Sequence, residues 1–317
     1  MPVVRPTFAP PRWLANGHIQ TILPAVLPRR LTVPYVRERL ELDDGDFLEL
    51  DVLDGGHRRV VVISHGLEGS SRDAYVRGLA SILSEAGWNV VAWNYRGCGG
   101  EPNRLPRSYH SGDTDDLARV IERAVDGGRQ AALVGFSLGG NLSLKFVGER
   151  PDYQSVIGAV GVSAPVDLAS SAAKLDRDPA NRIYLRRLIA RLEDKVRAKA
   201  VRFPDQVRVA DLEGVKGFAE FDDRFTAPMH GFRGAQDYWT RSSARPFLPF
   251  IRVPSLLLNA LDDPFLAPAC FPFDEAESSE SFLLEAPMSG GHLGFVQIPW
   301  AKHHWAEFRI RQFLSEL

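Results

Sequence analysis

The sequence predicts an α/β fold: a mostly parallel sheet flanked by helices, interrupted by an inserted, mainly helical segment. Three observations carry that expectation. Short apolar runs of strand length recur along the 317 residues, helix-patterned stretches alternate with them, and a hairpin of alternating polar and apolar residues opens the series. Strands of a parallel sheet are covered by helices on both faces, so they read as continuous apolar runs rather than as alternating ones.

The elements follow in order. Arg39-Leu40-Glu41-Leu42 and Phe47-Leu48-Glu49-Leu50-Asp51-Val52 alternate with the period of a strand, and Asp44-Gly45 between them is a hairpin turn signal. Val60 to Ser64 is the first continuous apolar run, followed by Gly66 and a helical stretch from Tyr75 to Ala86 that Gly87 closes. Asn89 to Trp93 is the next strand, and a helix is expected from about Thr114 to Val125. The strand Ala131 to Gly135, a helix from about Gly139 to Glu149 and the strand Val156 to Val162 continue the rhythm. Ser255 to Asn259 and Phe282 to Glu285 complete the strands, and Trp300 to Leu317 is expected as a closing helix.

Between about residues 167 and 249 the strand–helix rhythm stops. The stretch holds a helical-looking segment, Asn181 to Ala200, and then a mixed region rich in Phe and Asp. Both flanks return to one sheet, so we read 167–249 as a cap, or lid, inserted into a single core. That core comprises 1–166, with an N-terminal extension over 1–35, and 250–317. An independent second domain is the alternative.

Composition narrows the function classes. Apolar residues at 44% and charged residues at 25% are ordinary for a soluble globular chain. The 38 Lys and Arg against 40 Asp and Glu leave a net charge of −2, which draws the chain toward neither nucleic acid nor anionic membranes. The Arg- and Lys-rich stretch from Arg182 to Arg202 is broken by Glu193 and Asp194 and reads as the solvated face of helices. Two cysteines, Cys98 and Cys270, make no disulfide framework and fit a reducing compartment. Met1 to Trp13 is interrupted by Pro2, Pro6, Pro10 and Pro11 and has no signal-peptide core, and no apolar run reaches membrane-spanning length. A soluble cytoplasmic protein is expected, with its oligomeric state unread.

The chemistry centres on Gly135-Phe136-Ser137-Leu138-Gly139. Gly-x-Ser-x-Gly alone is a weak pattern, but here a strand precedes it and a helix follows. That is the context of a nucleophile elbow, whose sharp turn needs small residues at both glycine positions. The helix N-terminus then directs free N–H groups at the reaction site. A plain helix cap is the alternative role for Ser137. A serine hydroxyl needs a base, and in the α/β-hydrolase fold the chain order is serine, acid, histidine. His292, in the glycine-rich loop Ser289-Gly290-Gly291-His292 after the last strand, is the expected base. His230 falls in the insertion, while His303 and His304 fall on the closing helix, where surface or packing roles are expected.

The acid is expected after the strand Ser255 to Asn259, in Leu261-Asp262-Asp263-Pro264. We take Asp263 as the acid that orients His292, with Asp262 as a turn former or a supporting partner. Two backbone N–H groups are needed for an oxyanion: Leu138, next after the serine, and Leu67 in His65-Gly66-Leu67-Glu68-Gly69. His65, Tyr109, His110 and Trp239 are candidate pocket residues. Plainer roles for them are loop bracing by His65, loop packing by Tyr109 and His110, and anchoring of the cap by Asp237-Tyr238-Trp239. Cys98 lies in the loop after a strand, with no nearby His or basic pair to argue for a thiolate, so a structural role is expected. Asn141-Leu142-Ser143 matches a glycosylation pattern but falls in the helix behind Ser137 and is discounted. No metal-ligand spacing, phosphate-binding loop or dinucleotide fingerprint is read, so no cofactor is expected.

Several segments together carry a wider likeness. They are Asn16-Gly17-His18-Ile19-Gln20-Thr21, His65-Gly66-Leu67-Glu68-Gly69-Ser70-Ser71, Asn94-Tyr95-Arg96-Gly97-Cys98, and Tyr109-His110-Ser111-Gly112 ahead of Thr114-Asp115-Asp116-Leu117. With them stand the elbow and its Gly140-Asn141, Asn259-Ala260-Leu261-Asp262-Asp263-Pro264-Phe265, and Gly290-Gly291-His292-Leu293-Gly294-Phe295. The chain resembles the YheT/EMB8-like (ABHD1/ABHD3-related) family of α/β-hydrolases over nearly its whole length. The resemblance implies a serine esterase acting on short-chain or lipid-derived acyl esters of small molecules, with Ser137, Asp263 and His292 at the family's charge-relay positions. Animal members of the family carry membrane anchors, for which no counterpart is read here. The same three residues would equally serve thioester, amide or C–C bond cleavage, and a non-catalytic ligand-binding role is the alternative outside catalysis.

Overall fold

Among the described residues, nine strands form one sheet in the computed structural model, which describes residues 3–27, 29 and 31–317. They are β1 (Val3–Val4), β2 (Val36–Glu41), β3 (Phe47–Leu53), β4 (Arg59–Ser64), β5 (Asn89–Asn94), β6 (Gln130–Phe136), β7 (Val156–Val162), β8 (Ser255–Leu258) and β9 (Phe282–Glu285). Their order across the sheet is β1-β9-β8-β7-β6-β4-β5-β3-β2. Pairings from β5 to β1 are parallel, whereas β2 and β3 run antiparallel at the far edge. The expected hairpin is therefore present, and each strand read from the sequence lies within a residue or a few of its place. The two-residue β1 was not anticipated, because the prolines around it hide any strand signal.

The longer helices are α1 (Gly17–Val26), α2 (Ala74–Glu85), α3 (Thr114–Ala124), α4 (Leu138–Glu149), α5 (Leu168–Arg177) and α6 (Arg182–Arg202). Short pieces α7 (Phe218–Phe221) and α8 (Ala227–Met229) lead to α9 (Ala235–Ser242), α10 (Phe273–Glu277) and α11 (Trp305–Ser315). Alternation along the strands assigns the faces. In β4, Val60 and Val62 join the cluster of Leu117, Ile121, Leu142 and Phe146 from α3 and α4, whereas Val61 and Ile63 join Leu79, Leu83, Ile310 and Phe313 from α2 and α11. The sheet is thus covered on both faces, the α/β-hydrolase arrangement. Between β7 and β8 the chain adds α5 to α9, and part of this stretch packs a smaller cluster of its own around Leu185, Ile189, Leu192, Phe221 and Phe225.

Two expectations need correction. The closing helix starts at Trp305 rather than Trp300, because His304 and Glu307 form a reciprocal capping box that fixes its first turn. His304 is therefore the cap of α11, while His303, just before it, pairs with Glu307. The basic stretch Arg182–Arg202 is solvated only in part. Arg182, Arg186 and Arg187 are exposed, but Lys199 is buried and its ammonium donates to Asn103 Oδ1 and to the carbonyls of Leu105 and Arg107 at 2.5–3.0 Å. Burial pushes its pKa down to about 8. Lys195 and Lys199 continue the inward stripe of Leu188 and Leu192 at helical spacing, so this face of α6 turns inward.

Asn141 explains why its glycosylation pattern is idle. The side chain is fully buried on α4; its Nδ2 donates to the carbonyls of Ser111 and Ser242, and its Oδ1 accepts the Ala244 N–H. It thereby ties the helix behind Ser137 to the end of the inserted stretch. We predict that Asn141→Ala, which strands three buried polar groups, lowers unfolding free energy by about 3 kcal/mol. Urea denaturation measures this, and a loss below about 0.5 kcal/mol would contradict it.

Candidate active site

The turn between β6 and α4 leaves no room for side chains at two positions. A Cβ on Gly135 would lie 1.9 Å from the Gly139 carbonyl oxygen, and one on Gly139 would lie 2.4 Å from the Ser64 oxygen at the end of β4. Both positions must be glycine for β6, α4 and β4 to approach this closely. The chain between them reverses through Ser137 at φ 54°, ψ −119°, a conformation that a non-glycine residue rarely adopts. Among the described residues, four other non-glycine residues have positive φ, and each lies in a segment around Ser137: Glu68, Ser163, Leu293 and Phe295. Strain of this kind, on the order of 1–3 kcal/mol per residue, persists only where the surroundings over-determine it.

The three residues expected to act together meet beyond the C-terminal ends of β6, β8 and β9. Ser137 Oγ lies 3.0 Å from His292 Nε2. His292 Nδ1 lies 2.9 and 3.2 Å from the two Asp263 carboxylate oxygens, and the Asp263 side chain is fully buried. A carboxylate accepts only, so the ring proton sits on Nδ1 and Nε2 is left to accept from the serine hydroxyl. Asp263 also accepts the Phe265 N–H at 2.8 Å, and the Phe265 ring stacks on His292 with centroids 4.1 Å apart. Asp262 does not reach the histidine ring; its Oδ1 accepts the Gly291 N–H at 2.9 Å and so holds the loop on which His292 stands. Burial raises the Asp262 pKa.

Further support comes from residues for which the sequence supplied no role. Asn16 caps α1 by accepting the N–H groups of His18 and Ile19. One turn on, Thr21 Oγ1 accepts the His292 N–H at 2.9 Å, and Gln20 pairs with the backbone of Val296 through both ends of its amide. A Cβ on Gly17 would fall 1.9 Å from the Asp262 carbonyl oxygen, so α1 packs directly on the acid loop. Ser163, just past β7, accepts the Leu293 N–H. The segment Asn16 to Thr21 had been singled out, but only the fold reveals that it braces the His292 loop.

Of the expected N–H donors, Leu138 opens α4, where an N–H has no acceptor within its own helix. In the loop after β4, Gly66, Glu68 and Gly69 donate to Tyr75 Oη, Tyr109 Oη and the Gly66 carbonyl. Among the described residues, the Leu67 N–H meets no acceptor, and Leu67, Leu138 and Ser137 line one cavity. That cavity, about 550 Å³, is walled mainly by apolar side chains, among them Leu188, Leu192, Val196, Phe221, Phe225 and Met229 from the inserted stretch.

Tyr109, His110 and Trp239 line this cavity. His65 does not. It is wholly buried under the loop, with Nδ1 donating to the Gly66 carbonyl at 2.7 Å and Nε2 accepting the Tyr95 N–H at 3.3 Å, so it braces the loop instead. Tyr238 anchors α9 through Ser111, and Trp239 Nε1 donates to Asp222. A basic group does stand beside Cys98: Lys195, far away in sequence, places its ammonium 3.1 Å from the thiol. Burial still pushes the thiol up to about 11, which leaves it un-ionised at neutral pH. Among the described residues no group of three or more His, Cys, Asp or Glu side chains is placed to hold a metal ion, and no helix is long and apolar enough to cross a membrane.

A covered parallel sheet, a strained serine turn and a Ser–His–Asp chain beyond the strand ends define an α/β-hydrolase. The sequence pattern described as "alpha/beta hydrolase fold" matches residues 59–296, and the chain belongs to that family, in its YheT-like branch. It is 36% identical to the Escherichia coli (strain K12) protein named "Putative esterase YheT", over 97% of this chain and 93% of that one. It is 28% identical to the mouse protein named "Phospholipase ABHD3", over all of this chain and 80% of the relative. The solved structure of the Pyrococcus furiosus esterase Pf2001 shares the fold at a TM-score of 0.59 and 16% identity, covering 99% of this chain and 98% of that one.

The His65 ring yields a pH prediction. Burial lowers its pKa to about 3, against about 6.5 for an exposed ring, so the unfolded chain binds this proton first as pH falls. The stability that neutral His65 contributes is fully present above pH 6.5 and drains away toward pH 3, at about 1.4 kcal/mol per pH unit. Imidazole nitrogen shifts in the folded protein should report a neutral His65 at pH 4.5; a titration midpoint near 6.5 would contradict the burial argument.

Proposed function

We infer that the chain is a carboxylic ester hydrolase working through an acyl-enzyme on Ser137. The observation that carries this reading is the unbroken hydrogen-bond chain from Ser137 Oγ through His292 to Asp263, opening on a mainly apolar cavity. His292 Nε2 takes the serine proton as Oγ attacks the ester carbonyl, and buried Asp263 stabilises the imidazolium that forms. The N–H groups of Leu67 and Leu138 receive the oxyanion. His292 then protonates the departing alcohol. In the second half, a water gives its proton to the same nitrogen, attacks the acyl carbon, and frees the acid and Ser137.

The apolar wall suits an acyl chain, and the inserted stretch over 167–249 serves as the cap that supplies much of it. The names of relatives point the same way, toward esters of small molecules or lipids: YheT as an esterase, ABHD3 as a phospholipase, and a yeast protein 30% identical over 78% of this chain as a monoacylglycerol lipase. Both cysteines are free, which suits a reducing compartment such as the cytoplasm.

Two variants test the roles. Ser137→Ala should reduce hydrolysis of p-nitrophenyl butyrate by about 10⁵-fold or more, and should abolish labelling by a fluorophosphonate probe, with circular dichroism unchanged. Asp263→Asn should lower kcat by roughly 10³- to 10⁴-fold with little change in KM, because the histidine loses its oriented tautomer. Undiminished turnover by Ser137→Ala would end the assignment.

A further inference from the structure

We propose that Glu68 and Lys195 act as positioning residues, a clamp that holds the Leu67 N–H in place and fastens its loop to helix α6. The proposal rests on reading Ser137 as the nucleophile and Leu67 as an oxyanion donor. It concerns what keeps that donor aimed when the chain around it is strained.

The Gly66–Leu67 peptide carries the free N–H on one edge and the Gly66 carbonyl on the other. That carbonyl accepts from His65 Nδ1 at 2.7 Å and from the Gly69 N–H at 3.0 Å, which fixes the peptide plane and so the direction of the N–H. The second of these bonds exists only while the chain turns at Glu68, which sits at φ 51° without being glycine. Something must hold Glu68 there. Its own N–H donates to Tyr109 Oη at 2.8 Å, and the same hydroxyl donates to Glu68 Oε1 at 2.7 Å, closing a ring onto one residue. Tyr109 is in turn stacked on Tyr95, with centroids 4.7 Å apart.

Lys195 completes the arrangement from across the cavity wall. Its Nζ lies 2.7 Å from Glu68 Oε1 and 3.1 Å from Cys98 Sγ, and stands 4.6 Å over the Tyr109 ring. Only 17% of the lysine side chain and 10% of the glutamate side chain are exposed, so solvent screens this pair far less than a surface pair. Burial works against the Lys195 charge, and the Glu68 carboxylate beside it works in its favour. A buried ion pair is a poor source of stability, since apolar residues of similar volume commonly serve as well. Its effect here is geometric. It places a charge from α6 against a side chain that helps hold the strained turn, so a displacement of α6 would reach the Leu67 N–H.

The test compares Glu68→Gln, Lys195→Met and the double variant. Each single change leaves one partner without its counter-charge and should lower Tm, and kcat on p-nitrophenyl butyrate should fall about 10- to 100-fold with KM held within about threefold. The double variant removes both charges, so Tm should recover while kcat should not. A residue with a merely structural role would regain activity together with Tm, and that result overturns the proposal, as would single variants that keep kcat within about twofold. Amide hydrogen exchange across Glu68 and Gly69 reads the clamp without catalysis and should speed up in the double variant. If the wild-type chain turned over no ester, the nucleophile reading would fail by itself, and exchange rates would then decide the clamp, unchanged rates refuting it.

Discussion

The placement of Ser137 depends on one constraint: two backbone positions, Gly135 and Gly139, where no Cβ fits between β6, α4 and the end of β4. That contact brings the C-terminal ends of neighbouring parallel strands to one place, where the chain must leave the sheet abruptly. The sharp exit raises Ser137 above the strand ends and presents the first turn of α4 behind it. Acid and histidine then need only extend loops from β8 and β9 toward a fixed point. Crevices beyond the carboxyl ends of parallel strands are where such folds bind ligands, and the close approach of β4 and β6 makes this one.

A serine held at φ 54° would relax if its neighbours allowed it. What opposes relaxation is distributed: α1 reaches the His292 loop through Thr21 and Gln20, Asp262 binds Gly291, and Ser163 binds the Leu293 N–H. These contacts come from three separate stretches of chain, and each ends on backbone. Rigid backbone around Ser137, His292 and Asp263 keeps the donor and acceptor distances near 3 Å.

Much of the fold was legible because its signals are local. The apolar runs of β4 to β9, the hairpin at Asp44-Gly45, and the strand–turn–helix around Ser137 each declare themselves within a few residues. The meeting of Ser137, Asp263 and His292 was legible too, since strand order converts sequence order into proximity. What escaped notice was long-range. Lys195 looked like part of a solvated basic face, because a lysine at an inward helical position differs from an outward one only by its partner, and Glu68 lies 127 positions earlier. Cys98 lacked a basic neighbour for the same reason, and His65 was offered as a pocket residue although its loop folds over it. Glu307, which accepts the His304 N–H at the start of α11, also meets Arg29 from the N-terminal extension.

The inserted stretch packs much of its apolar surface into a cluster of its own, separate from the two clusters that sandwich the sheet. Separate clusters mean that substitutions in one have small direct effects on the packing of the other. Leu192, Phe221 and Phe225 of that cluster also line the cavity, so substitutions there would reshape the cavity while leaving the packing of the strand ends and the serine turn largely intact. Chimeras that exchange this stretch between relatives would respect that separation, provided the graft brings a cation to the place of Lys195.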